Sequence, residues 1–149
     1  MTLLVRDTCL CLHVQRAARL LARRFDVALK PVGLTNGQFS LMMSLNRPDM
    51  PGVPRATIGS VAELLGMDRT TLTAAVKTLE RRGLVDVLVE AKDKRERRMV
   101  LTAEGRRVLA AATPIWTRTH AEVEGGLAGG NPERLRLDLR ALGESGEAE

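Results

Sequence analysis

The sequence predicts a mainly α-helical chain carrying one small β-hairpin, and three observations lead there. Apolar residues recur at spacings of three and four along most of its length, the period of one helix face. Such segments are bounded by helix starters and stoppers, Thr, Asp or Asn before them and Gly or Pro after them. Two stretches break the pattern: Val85–Val89, rich in β-branched residues, and Met99–Leu101 read as a strand and its return partner.

Residues 6–30 read as one long helix. Leu10, Val14, Ala17, Leu21, Phe25 and Ala28 share a stripe, and Arg16, Arg19, Arg23 and Arg24 fill much of the remainder. Pro31 and Gly33 end it, because proline clashes with the preceding turn and removes a donor. Thr35-Asn-Gly-Gln38 has the spacing of a capping box for the next helix. That helix carries Phe39, Leu41, Met42, Met43 and Leu45 on nearly every side, which predicts burial. Pro48, Pro51, Gly52 and Pro54 then make 46–56 a loop.

A short helix starts at Thr57 and is expected to turn Ile58, Val61, Leu64 and Leu65 inward. Gly66 lets the chain turn, and Asp68 is placed to cap the helix Arg69–Arg82. Leu72, Val76 and Leu79 form the core face of that helix, and Gly83 closes it in a left-handed conformation. The charged run Glu90–Arg98 reads as the exposed loop of the hairpin. Thr102 caps a third long helix whose inward stripe is Val108, Leu109, Ala112, Ile115, Trp116, Thr119 and Val123, with a kink expected at Pro114. Asn131-Pro-Glu133 starts a last helix bearing Leu135, Leu139 and Leu142, and 143–149 is expected to be a disordered tail. No internal repeat is visible.

Two short helices joined by a glycine turn and followed by a hairpin with a charged loop make a winged helix-turn-helix. With Leu72, Val76 and Leu79 inward, the outer face of the second helix must present Arg69, Thr70, Thr73, Ala74 and Lys77. Small hydrogen-bonding residues near a helix N-terminus suit the DNA major groove, where they reach base edges. Arg81, Arg82 and the loop cations are placed to neutralise flanking phosphates. Charge follows the same division: residues 69–98 hold nine Lys/Arg against five Asp/Glu, and residues 120–149 hold three against seven. A solvated charged surface is the plainer explanation of the run, but its coincidence with the helix-turn-helix spacing favours DNA.

Composition narrows the classes further. With 149 residues and 44% hydrophobic side chains, the chain is one folded domain plus appended helices. A net charge of +5 favours an anionic partner, and the absence of Tyr argues against a stacking platform for single strands. Two cysteines exclude a disulfide-dense fold. No signal peptide or spanning segment is legible, so a cytoplasmic protein that does not enter membranes is expected. Phosphate loops, paired-histidine zinc motifs and nucleophile elbows are missing from the sequence, so no enzyme and no cofactor is expected.

Several runs carry a resemblance to a known family. They are Arg19 with Phe25-Asp-Val-Ala-Leu29, then Pro31-Val-Gly-Leu-Thr35 with Gln38-Phe39, and then Val61 through Thr73. Further on come Leu79-Glu-Arg-Arg-Gly-Leu-Val85, Asp93-Lys-Arg95 and Leu101-Thr-Ala-Glu-Gly105. Together, from about Cys9 to Leu142, they resemble the MarR family of regulators. The resemblance implies a homodimer on a pseudo-palindromic double-stranded operator, its half-sites ~34–36 Å apart. It implies N-terminal (1–34) and C-terminal (103–142) dimerisation helices around a winged unit (35–102). Three apolar stripes outside that unit, more than one small domain can cover, agree with pairing. The resemblance also sends the recognition helix into the major groove and a wing arginine into the minor groove. Thr70, Thr71 and Thr73 match its hydroxyl positions, and Arg95 is the best wing-tip match. Ala74 stands where many relatives have arginine, and the wing is short, which leaves Arg95 and Arg97 as rival tips beside Lys94.

Family members are commonly repressors that release DNA when a small aromatic or anionic effector binds. The candidate lining here is His13, Arg16, Phe39, Met42 and Met43, since arginine pairs with carboxylates and methionine adapts to irregular shapes. The methionines also suit ordinary core, and Arg16 a surface ion pair. Cys11 lies eight residues before Arg19, a spacing similar to that of thiol-sensing relatives, so a peroxide-sensing repressor is an alternative. Against it, the helper tyrosines of that subgroup are missing, and residues i and i+2 point about 200° apart on an intact helix, so Cys9 and Cys11 could not pair there. Cys9 and His13 could begin a metal site, but too few ligands follow, and no metal is expected. A winged-helix module that binds protein is the remaining alternative.

Overall fold

The computed structural model describes residues 2–46, 55–89 and 97–144. Helices α1 (Thr2–Thr8), α2 (Leu10–Leu29) and α3 (Asn36–Leu45) come first, a 3-10 turn over Lys30–Val32 joining the last two. Helices α4 (Ile58–Leu65) and α5 (Arg69–Arg81) precede the hairpin of β1 (Val85–Val89) and β2 (Arg97–Leu101). Helices α6 (Ala103–Gly125) and α7 (Pro132–Glu144) complete the chain. None of these helices is long and apolar enough to cross a membrane.

The long first helix expected over 6–30 is two helices. Helix begins at Thr2 and breaks at Cys9, whose ψ of 106° is extended. The Thr8 hydroxyl donates to the Leu4 carbonyl at 2.7 Å just before the break. Most of this region is exposed, and Phe25 and Leu29 are its two buried side chains. Asp26, near the far end of α2, accepts from the Asn36 backbone N–H at 2.7 Å, which places a negative charge at the positive end of α3.

Capping chemistry explains most helix starts. Thr35 and Gln38 exchange hydrogen bonds as a capping box, and Thr57 does the same with Ser60. Thr102 accepts from the Gly105 N–H at 2.9 Å, and Asn131 from the Arg134 N–H at 3.0 Å. Gly33, Gly66 and Gly83 take positive φ at the turns after α2, α4 and α5. Helix α6 runs through Pro114 as one element, and α7 takes in Gly143 and Glu144, two residues that the sequence assigned to a disordered tail.

One apolar core joins the end of α2 to α3, α4, α5, the hairpin and the first half of α6. Leu29, Leu41, Met42, Val61, Leu72, Leu79, Val85 and Met99 are its largest fully buried members. β1 and β2 pair antiparallel with Val85 opposite Leu101 and Val87 opposite Met99. The segment preceding α4 joins them through one isolated bridge: Thr57 bridges Arg98, and the Met99 N–H donates to the Ala56 carbonyl at 2.9 Å. Leu64, expected inward, is 60% exposed, because Val61 and Ala62 already occupy the core-facing arc of this short helix.

The hairpin and α6 meet at a junction of backbone on backbone. The Thr102 hydroxyl donates to the Gly83 carbonyl at 2.7 Å, and its N–H reaches the Leu84 carbonyl at 3.2 Å. Gly105 packs so closely here that a β-carbon would stand 2.0 Å from the Leu84 oxygen. Gly105→Ala is therefore expected to destabilise the fold by about 1–3 kcal/mol, as an overpacked contact does. Gly37→Ala, where a β-carbon meets nothing within 4 Å, is the control and should be neutral or slightly stabilising in the same urea titration.

Candidate nucleic-acid interface and effector cavity

Helix α5 is fixed in rotation by Leu72, Val76 and Leu79, each 3% exposed or less. Its opposite side carries Arg69, Thr70, Thr71, Ala74, Lys77 and Arg81, all exposed, with Thr73 half-buried at the edge. The sequence-derived outer face is therefore an outer face in the structure. Asp68 caps the helix, one carboxylate oxygen accepting from the Thr71 N–H at 2.8 Å and the other from the Thr71 hydroxyl at 2.6 Å. Those bonds, the hydroxyl's first, hold the Asp68 carboxyl below the usual carboxylate range. The Thr73 hydroxyl donates to the Arg69 carbonyl at 2.7 Å. Arg69 lies across Gly59 of α4, where a β-carbon would come within 3.0 Å of its guanidinium.

Between α5 and the hairpin runs a groove of about 420 Å³. Thr73, Lys77 and Glu80 line it from the helix, and Val87, Val89 and Arg97 from the strands. Thr73, Lys77 and Arg97, nominated separately from the sequence, thus share one surface. Arg97 pairs with Val89 as the first rung of β2, so it stands on the strand and not at a wing tip. Lys94 and Arg95 lie outside the described residues. Arg82, expected among the phosphate contacts, donates instead to the Gly33 carbonyl at 2.8 Å and to Gln38 Oε1 at 3.1 Å. It ties the end of α5 to the start of α3, a role that no local sequence signal announces.

A second cavity, of about 430 Å³, opens between α3, α4 and α6. Phe39, Met43, Leu64, Leu65 and Trp116 form apolar walls, and Ser40, Ser44 and Thr113 bring hydroxyls. Trp116 stacks on Phe39 with ring centroids 6.0 Å apart and on His120 at 4.6 Å. Of the five effector residues named from sequence, Phe39 and Met43 line this space. Met42 does not; it is fully buried in the core. His13 and Arg16 stand on the exposed surface of α2, away from the cavity lining. Trp116 was legible only as part of the inward stripe of α6; that it is the sole Trp was the available signal.

Cys11 is exposed, with Gln15 Nε2 donating to its sulfur at 3.1 Å, and Cys9 is half-buried at the break between α1 and α2. Among the described residues no three His, Cys, Asp or Glu side chains gather as a metal site.

Comparisons with known proteins agree with this geometry. A sequence model described as MarR family matches residues 32–96. The transcriptional regulator HosA of Escherichia coli O127:H6 is 36% identical over 109 residues, covering 73% of this chain and 77% of HosA. Among solved structures, the M. tuberculosis transcriptional regulator MosR in complex with DNA superposes with a TM-score of 0.83 at 39% identity, covering 94% of this chain and 97% of MosR. The transcriptional repressor CouR, bound to a 23-mer DNA duplex, gives a TM-score of 0.74 at 27% identity, with 93% and 94% covered. An outward helix between a glycine turn and a hairpin, in a chain this similar to those regulators, has one reading: the protein belongs to the MarR family of DNA-binding transcriptional regulators.

Proposed function

We propose that the chain is a homodimeric cytoplasmic repressor that reads a pseudo-palindromic operator and is released by a small effector. The observation that carries the reading is the setting of α5, with Arg69, Thr70, Ala74 and Lys77 facing out over a buried aliphatic stripe. In this reading residues 35–102 hold the DNA, with α5 in the major groove. Thr70, Thr71, Thr73 and Ala74 face base edges, and Arg69, Lys77, Arg81 and Arg97 face phosphates. Lys94 and Arg95 of the wing turn toward the minor groove. The repressor and DNA-bound state of CouR support this sense of regulation.

Residues 1–34 and 103–142 supply the dimer contacts. Leu3, Leu4, Leu10, Leu12 and Leu20 on α1 and α2, and Leu135, Leu137, Leu139 and Leu142 on α7, are at least 43% exposed. So much aliphatic surface marks an interface, and a second copy is the occupant that covers both ends at once. The effector occupies the cavity beside Trp116, whose volume falls in the range of small-molecule sites.

A duplex selected from a randomised pool by the wild-type protein provides the test. On it, a Thr73, Lys77, Arg97 triple-alanine variant should lose at least a hundredfold in affinity by fluorescence anisotropy, with its thermal midpoint unchanged. The log–log salt slope should fall by ~0.9 for each phosphate contact removed. Wild-type affinity in that variant would overturn the assigned face, and a wild type with no salt-dependent duplex binding would favour the protein-interaction module. Leu12→Glu combined with Leu139→Glu should give a monomer by light scattering and weaken operator binding. A dimer that survives both charges would show that these faces are not its interface.

A second reading rests on a different observation. The helix break at Cys9 removes the constraint that an intact helix would place on pairing Cys9 with Cys11. A thiol-based peroxide-sensing repressor therefore stays in play, with exposed Cys11 as the reacting thiol. Peroxide should then abolish operator binding by the wild type and spare Cys11→Ser; equal loss in both excludes the thiol.

A further inference from the structure

The cavity beside Trp116 has a chemistry of its own. Its apolar side combines the faces of two aromatic rings with the thioether of Met43. Its polar groups are hydroxyls, at Ser40 and Thr113 among others, and among the described residues no side chain lining it carries a charge. Behind Trp116 lies a chain of ionisable groups. His120 stacks on Trp116, its Nε2 lies 3.8 Å from Glu124 Oε1, and Glu124 is in turn bound by Arg136 of α7. The arginine is already engaged by two carboxylates, Glu124 and Glu133.

A carboxylate bound against these walls would give up part of its hydration and find no cation among the described lining residues to replace it. A charge that gives up hydration without gaining a partner is disfavoured, whereas a neutral amide or hydroxyl is satisfied by one or two hydroxyl partners. The arginine named from sequence as a carboxylate partner, Arg16, stands on exposed α2 and is not part of this lining.

We infer that the effector is an uncharged, flat aromatic molecule with a neutral hydrogen-bonding group, and that aromatic carboxylates are discriminated against. This rests on the cavity being the effector site, as proposed above.

Trp116 supplies the readout, because the chain has one Trp and no Tyr, so its fluorescence reports on this wall alone. Nitroaromatic probes quench tryptophan on contact. The full-length protein is titrated with 4-nitrobenzamide and 4-nitrobenzoate, and with the corresponding 4′-nitrobiphenyl amide and carboxylate, two pairs alike in shape and different in charge. The amide of each pair should bind at least tenfold more tightly at neutral pH. Met43→Arg places a cation on the wall at a position already 40% exposed, and should reverse the preference toward the carboxylates.

Carboxylates that bind the wild type as well as the amides overturn the inference. If Arg16→Ala then removes the carboxylate affinity, the missing cation comes from α2 of a second copy. Quenching by none of the four probes, in protein that still binds its operator, removes the cavity as the effector site and this inference with it. Binding that follows charge in the wrong direction leaves the site standing and removes the inference alone.

Discussion

The rotation of α5 about its own axis is the constraint on which the rest of the molecule depends. Three aliphatic side chains, Leu72, Val76 and Leu79, are almost completely withdrawn from solvent. A helix turns by about 100° per residue, so slipping this register by one position would carry Lys77 toward the core and a leucine toward solvent. Both ends of the helix are held as well. Asp68 ties the first turn to Thr71, and Arg82 ties the last turn across to Gly33 and Gln38. Apolar burial sets the rotation, and polar contacts fix the position along the axis.

That setting also limits what each threonine has left to offer. Thr71 gives its hydroxyl proton to Asp68, and Thr73 gives its own to the Arg69 carbonyl. A hydroxyl that has donated keeps its capacity to accept and its methyl group. In this conformation the two side chains are therefore suited to accept from an exocyclic amino group of adenine or cytosine, or to pack on a thymine methyl. Thr70 is exposed beside them. The folding role of these residues and the reading role proposed for them share the same atoms.

Local signals in the sequence were strong wherever the physics was local. The capping box at Thr35, the cap at Thr102 and the positive-φ glycines all follow from chemistry within a few residues. Contacts between distant segments left no such trace. Arg82 looks like one more cation in a basic run, and only the fold brings it 2.8 Å from Gly33, forty-nine positions away. Leu64 fits an inward periodicity that Val61 and Ala62 had already satisfied. Met42 and Met43 are adjacent and chemically alike, yet a rotation of about 100° puts one in the core and the other on the cavity wall. The break at Cys9 was hidden because no glycine or proline marks it.

Helix α6 links the cavity to the hairpin. Thr113 and Trp116 of its middle line the cavity, while Thr102 and Gly105 of its first turn carry the base of the hairpin. Those regions lie roughly 12 Å apart along one continuous helix. At the hairpin end there is no slack, since Gly105 already sits where a single β-carbon would collide with Leu84. Close-packed contacts of this kind pass on displacements instead of absorbing them. A ligand in the cavity shifts the equilibrium between DNA-competent and incompetent arrangements only to the extent that it binds one better than the other. Phe39 and Trp116 line that cavity and stack on each other, so a ligand there would meet both rings at once.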